Sequence, residues 1–143
     1  MPLTRVYLAL APEHLAALAG GGSVGPVPVA AHAVTPALGK PGLVTDEEEL
    51  EHAAWLAAAD EAVELSDGGT RRRVVAAADV DASTVAHRTT AGAPSHVELL
   101  APVDLRRIVS FHVDEEPGAT DAADLLWYDV TELAEVRSLV GSA

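Results

Sequence analysis

The stretch Thr45–Ser66, TDEEELEHAAWLAAADEAVELS, predicts one element of the fold more directly than any other part of the chain. Thr45, followed by Glu48 three residues later, has the pattern of a helix capping box, and the run of acids suits the positive end of the helix dipole. Glycines after Ser66 favour a helix end. We predict an amphipathic helix of about six turns. Its contact face has residues at helical spacing: His52, Trp55, Leu56, Ala59, Ala62 and Val63.

Other patterns on both sides of this helix predict strands and shorter helices. Alternating or continuous apolar runs predict the strands Arg5–Leu10, Arg71–Ala78, Val97–Val103 and Arg107–Asp114. Two more helices are predicted at Pro12–Ala19 and at Thr131–Val140, the latter with Thr131 as N-cap. The prolines in Val24–Val34 favour a loop with at most an edge strand. Asp121–Asp129 fits a helix or a strand equally well.

The order of these elements predicts a single α+β domain over residues 1–143, which is long enough to bury a core. A β–α–α–β order at the start favours a right-handed crossover, which would make the first two strands parallel. The turn Asp104-Leu105-Arg106 would join the last two predicted strands as an antiparallel hairpin. We therefore expect a mixed sheet of about four strands, with helices mainly on one face.

The composition argues against several classes of function. The formal charge is −13, from 22 acidic and 9 basic residues, and the chain has no Asn or Gln, so nucleic acid is a poor partner. No apolar run approaches the roughly 20 residues of a spanning helix. The chain has no cysteine, and the apolar run Val6–Ala11 is short for a signal peptide. We expect a cytoplasmic protein without membrane or nucleic-acid partners.

Six segments carry a resemblance to a known family: RVYLALAP, AVTPAL, TDEEELEHAAWLAAA, RRRVVAAADV, VSFHVDEE and ADLLWYDVTEL. In this order they resemble an uncharacterised family of small actinobacterial proteins, a domain of unknown function. The resemblance covers nearly the whole chain. It implies a conserved cytoplasmic module, and it brings no activity, cofactor or catalytic residue.

One strand carries the best candidates for chemistry. Ser110, His112 and Asp114 alternate along one face, but residues two apart on a strand lie about 6.5–7 Å apart with parallel side chains, which argues against a catalytic triad. His112 and Asp114 could share Zn²⁺, Mn²⁺ or Fe²⁺ with Asp79 or Asp81 as a third ligand. The alternative is a solvent-facing strand edge, and it is the interpretation we favour.

The neighbouring aromatic residues Trp127 and Tyr128 are candidates for an interface, with core packing as the alternative. The chain has no recognisable nucleophile motif, phosphate loop or metal motif, and we predict no cofactor. The leading hypothesis is a non-catalytic module that binds a protein partner or itself, with a homodimer as the default assembly. The alternative is a metal-dependent enzyme using His112, Asp114 and Asp79 or Asp81.

Overall fold

The computed structural model describes residues 2–36, 38, 46–66, 71–87, 94–119, 121 and 124–140, and these form an α+β fold. The helices are α1 (Pro12–Ala19), α2 (Glu47–Leu65) and α3 (Leu133–Val140). The strands are β1 (Leu3–Leu10), β2 (Ser23–Val24), β3 (Val29–His32), β4 (Val74–Asp81), β5 (Val85–Ala86), β6 (His96–Leu99), β7 (Val103–Asp104), β8 (Ile108–Asp114) and β9 (Leu125–Asp129).

The main sheet has seven strands in the order β5-β6-β3-β1-β4-β8-β9, and not the four that the sequence predicts. Every pairing between described strands is antiparallel, so the expected mixed sheet is wrong. β1 and β4 pair in opposite directions from Leu3↔Asp81 to Leu10↔Val74. β4 runs antiparallel to β1 because the unpredicted strand β3 takes the chain back to the end of the sheet where β1 began. The connection through α2 then starts β4 beside the end of β1.

The segment Val24–Val34 contributes an interior strand and not an edge strand. β3 lies between β1 and β6 in the sheet. Pro26 and Pro28 precede β3, so neither proline removes a donor from its ladder of hydrogen bonds. The two residues of β2 form a separate pair with β7.

The predicted hairpin Val97–Val103 with Arg107–Asp114 does not form. β6 pairs with β3, whereas β8 pairs with β4, so the two strands lie on opposite sides of β1. The predicted turn is a 3-10 helix, Leu105–Arg107, in the connection that crosses between them. Of the segment that fits a helix or a strand equally well, Leu125–Asp129 forms the strand β9, which pairs with β8.

The helices cover both faces of the sheet, which corrects the expectation that they lie mainly on one. Alternate residues of β1 separate the two layers: Val6, Leu8 and Leu10 belong to the larger core with α1 and α3, as the alternation predicts. Tyr7 and Ala9 belong to a smaller core under α2. The face that matters for the site is the one under α2.

Helix α2 is confirmed, but its cap and its contact face differ from the prediction. Asp46 is the N-cap and accepts a 3.0 Å hydrogen bond from the Glu48 backbone N–H. Thr45 and the glycines at 68–69 lie outside the described residues. The buried residues are Ala54, Ala58, Ala59 and Ala62. Leu56 is exposed, because the sheet surface of small side chains beneath α2 admits alanines at close approach more readily than leucine.

The last helix has a different start from the one predicted. Asp129, and not Thr131, is the N-cap: its carboxylate accepts from the Thr131 backbone N–H at 2.9 Å, and a 3-10 turn, Val130–Glu132, leads into α3. Glu132 reaches back to the Asp129 N–H at 2.9 Å, which completes a capping box. Among the described residues, no helix combines the length and apolar character needed to cross a membrane.

Candidate functional site

The register of the sheet places most of the chain's polar and aromatic candidates on the face under α2. Cross-strand pairing joins His96 to His32, His32 to Tyr7, Tyr7 to Ala77 and Ala77 to Ser110. Opposed residues share a face of the sheet, so these five form one transverse row. A second row contains Val75, His112 and Trp127.

At one side of α2 these rows border a groove of about 470 Å³. Three of the chain's five aromatic residues line it. The lining residues are Arg5, Tyr7, His52, Trp55, Ala77, Val109, Ser110, His112 and Trp127. In a chain so poor in rings, this concentration makes the groove the leading candidate for a binding site.

The rings in the groove contact one another. His52 stacks on Trp55 with ring centroids 5.7 Å apart. Trp55 meets His112 edge to face at 5.8 Å. The indole N–H of Trp55 is buried and has no acceptor among the described residues. Such a group costs about 1–3 kcal/mol when it stays unpaired, so a bound acceptor would be favourable.

Ser110 and His112 are in contact, although their spacing on the strand predicts that they are not. Ser110 Oγ lies 3.2 Å from His112 Nε2. The ladder is regular from Ser110 to His112, so the length of the imidazole accounts for the contact: its outer nitrogen reaches along the strand to the hydroxyl. A bulge at Val109 lies just before this pair, since Ala77 pairs with Ser110 and Ala78 with Ile108. Burial lowers the pKa of His112, which keeps its imidazole neutral near pH 7.

The groove contains one cation, and that cation is already paired. Arg5 Nε lies 2.6 Å from Asp79 Oδ1, and this hydrogen bond raises the pKa of Arg5. Burial raises the pKa of Tyr7, so its phenol stays protonated and can donate. The groove therefore offers aromatic faces and neutral hydrogen-bonding groups, which suits a partially apolar ligand better than a strongly charged one.

The four carboxylate and imidazole residues predicted as a metal site are not brought together. The Asp114 carboxylate is engaged by the buried Arg73 guanidinium, and so it does not extend the Ser110–His112 contact into a triad. Asp79 pairs with Arg5. Asp81 caps the 3-10 turn Ala82–Thr84, accepting from the Ser83 N–H at 3.1 Å.

A different group comes close enough to share a metal ion. Within the part of the chain that the structure describes, one group of three potential ligands is found: His32, Glu61 and His96, whose ligand atoms all lie within 4.8 Å of one another. The sequence contains no short motif that would find them, because β3, α2 and β6 each supply one residue. Only the pairing of β3 with β6 makes His32 and His96 neighbours.

The predicted interface pair, Trp127 and Tyr128, is divided between the two faces of the sheet. Trp127 is 61% exposed at the groove, whereas Tyr128 is partly buried against the larger core. Adjacent residues on a strand point in opposite directions, so a consecutive pair cannot serve one surface. Trp127 stays a candidate for binding, whereas Tyr128 packs against the larger core.

The fold and groove describe a small α+β domain whose distinguishing surface is the aromatic-lined face beside α2. The chain belongs to a family of unknown function, DUF6912, whose model matches residues 4–136. None of the curated proteins compared with the chain matches it. No solved structure matches it either.

Proposed function

We propose that this chain is a non-catalytic cytoplasmic module that binds another protein, or a second copy of itself, along strand β9 and the groove beside it. The observation that carries this proposal is the position of Trp127, which is 61% exposed on a strand at the end of the sheet. Tryptophan is enriched at the energetic centres of protein interfaces, because it buries a large area and loses little conformational entropy.

The backbone of β9 supports the same proposal. One side of β9 pairs with β8, and among the described strands none pairs with its other side. Leu126 is 41% exposed on the face opposite Trp127. An edge strand with apolar side chains on both faces is a ready template for another strand, and soluble proteins usually protect such an edge. Addition of a partner strand would cover both side chains and satisfy the outer backbone groups.

The groove can accept a side chain from that partner. Its volume of about 470 Å³ lies within the range of about 300–1,000 Å³ that is usual for ligand pockets. The net charge of −13 attracts a basic partner and repels a second copy at long range. Both occupants would bury the same surface, so the experiment has to separate them.

The metal-dependent enzyme that the sequence leaves as an alternative has no comparable support. Its proposed ligands, His112, Asp114 and Asp79 or Asp81, are engaged in separate contacts. Among the residues that the structure describes, no carboxylate completes the contact between Ser110 and His112, and Ser110 is 4% exposed. We therefore do not propose this pair as a catalytic site.

Two measurements test the binding proposal. Light scattering at high micromolar concentration should show a mass above the monomer that falls to monomer in Trp127→Ala, if the partner is a second copy. The matched control is Leu100→Ala, since Leu100 is 55% exposed beside β6, away from β9. If the wild type is a monomer, a photo-cross-linking residue placed at 127 in the native cell should capture a protein that the same residue at 100 does not. A monomer without a capture specific to position 127 would overturn the proposal.

A further inference from the structure

We propose that His32, Glu61 and His96 form a binding site for a divalent transition-metal ion of the zinc class. Each of these residues offers one ligand atom, and the three atoms lie within 4.8 Å of one another. Two imidazole nitrogens and one carboxylate oxygen are a donor set that suits Zn²⁺. The site uses none of the residues of the aromatic groove, so it does not depend on the function proposed above.

The distance between two of the three ligand atoms is close to the one that a tetrahedral ion requires. His32 Nε2 lies 3.1 Å from Glu61 Oε1. Ligand atoms about 2.0–2.1 Å from zinc at tetrahedral angles are about 3.3–3.4 Å apart, so His32 and Glu61 need to shift by only a few tenths of an ångström. The His96 nitrogen lies within 4.8 Å of their ligand atoms and has to approach them to about that spacing. The His32 and His96 rings lie 6.0 Å apart between centroids and meet nearly edge to face, at 80°.

A buried hydroxyl orients His32. His32 is 4% exposed, and its Nδ1 lies 2.9 Å from the Oγ of Ser95, which is 1% exposed. Ser95 is itself positioned, because its carbonyl accepts the Ala33 N–H at 2.9 Å. Metal-binding histidines usually donate the N–H of the second ring nitrogen to such an acceptor, which fixes the tautomer and leaves the other nitrogen free to bind.

The three ligands come from elements whose packing holds them in place. His32 and His96 are direct cross-strand partners on β3 and β6. Glu61 projects from α2 onto the same face, and its side chain is 34% exposed. Glu61 also borders a cavity of about 240 Å³. The partial exposure of Glu61 gives an ion access from solvent, and three protein ligands leave a fourth position for water.

An ordinary hydrogen-bonded pair is the competing explanation. In that case His32 Nε2–H donates to Glu61 and the Ser95 hydroxyl donates to Nδ1, and the hydrogen bond from His32 lowers the pKa of Glu61. On binding a metal, the neutral imidazole changes tautomer: its one proton leaves Nε2 and, by exchange with solvent, Nδ1 is protonated and donates to Ser95, because a hydroxyl can both donate and accept. The pair alone does not require a histidine at position 96, whereas a three-ligand site does. Substitution of His96 therefore separates the two explanations.

The test uses the whole chain, purified without a histidine tag, treated with chelator and then dialysed. Zn²⁺ titrated by calorimetry should bind with one ion per chain, and Co²⁺ should give the intense visible bands of a tetrahedral site. His96→Ala and Glu61→Gln should each weaken Zn²⁺ binding, and Ser95→Ala should weaken it about 10–100-fold. The control variants are His52→Ala and His112→Ala, which change histidines of the groove and should leave the affinity unchanged.

Two results would overturn the inference. One is an absence of the tetrahedral Co²⁺ spectrum in the wild type. The other is Zn²⁺ affinity that survives His96→Ala, or that falls equally in the control variants. Circular dichroism of each variant checks its fold. Should Glu61→Gln or Ser95→Ala fail to fold, His96→Ala alone still decides, because His96 is only half-buried and the hydrogen-bonded pair does not need it.

Discussion

Arg73 and Asp114 form a bidentate ion pair in the interior of the protein. Arg73 Nη2 lies 2.8 Å from Asp114 Oδ1, and Arg73 Nε lies 2.9 Å from Asp114 Oδ2. The two side chains are 2% and 0% exposed. Asp114 Oδ2 also accepts the Arg73 backbone N–H, and Arg73 Nη2 donates to the Asp121 carbonyl. The pair joins the residue before β4 to the end of β8, next to the ladder that aligns these two strands.

The first prediction concerns removal of this pair. Asp114→Ala should lower the free energy of unfolding by about 3–5 kcal/mol, because it leaves a buried guanidinium without its counter-charge. Urea denaturation measures the change. The comparison is Asp79→Ala, whose partner Arg5 is 39% exposed, and which should cost no more than about 1 kcal/mol. Equal, small losses in the two variants would show that the buried pair does not stabilise the fold.

The second prediction concerns the packed face of α2. Ala58 is 0% exposed against the sheet, so Ala58→Leu should overpack and destabilise the fold by about 1–3 kcal/mol. Ala57 is only half-buried, and Ala57→Lys should change stability by no more than about 0.5 kcal/mol. Thermal and urea unfolding of both variants test this. If Ala57→Lys were the more damaging change, the face of α2 would have been assigned incorrectly.

The third prediction concerns pH. Since burial lowers the pKa of His112 in the folded state, the unfolded state binds its proton first as the pH falls. The contribution of the neutral His112 is complete above its unfolded pKa of about 6.5 and is lost as the pH falls from there through the folded pKa. His112→Gln should therefore lose less stability than the wild type between neutral and mildly acidic pH. Denaturation midpoints of the two proteins, measured across this pH range, test the prediction. If both midpoints fell equally with pH, the prediction would be wrong.

The fourth prediction concerns the metal site that the sequence suggests on β8. His112→Ala and Asp79→Ala should leave the response of the melting temperature to added Zn²⁺ or Mn²⁺ unchanged, since the structure places the two side chains in separate contacts. A bound ion at a hundredfold excess over Kd would stabilise the fold by about 2.7 kcal/mol, which is readily detected. If added metal raised the melting temperature of the wild type and of neither variant, β8 would again be the candidate metal site.

Asp114 cannot be used in the same test. Its replacement by alanine looks harmless if Asp114 is read from the sequence as an exposed strand residue. The ion pair with Arg73 makes that expectation wrong, because loss of the carboxylate destabilises the fold whether or not a metal binds. A change of melting temperature in an Asp114 variant would therefore reflect loss of the buried ion pair, whether or not a metal binds.

The sequence by itself determined the features that depend on near neighbours along the chain. Periodicity located α2 and a proline at the first helical position located α1. The alternation of β1 divided Val6, Leu8 and Leu10 from Tyr7 correctly. These patterns are local, since the side-chain direction of each residue follows from the regular geometry of its own helix or strand. The same local information separated Ala59 from the charged side of α2, and the order of the predicted elements indicated the α+β class.

Only the tertiary structure decided which distant residues meet. The direction of β4 depends on β3, a strand that the two preceding prolines made look like a loop. The partner of Asp114 is an arginine 41 residues earlier in the chain. His32 meets His96 and Glu61 through strand register and helix docking, and a one-residue change in register would turn a side chain to the opposite face. Those choices come from packing the whole core at once, and no single segment of the chain contains them.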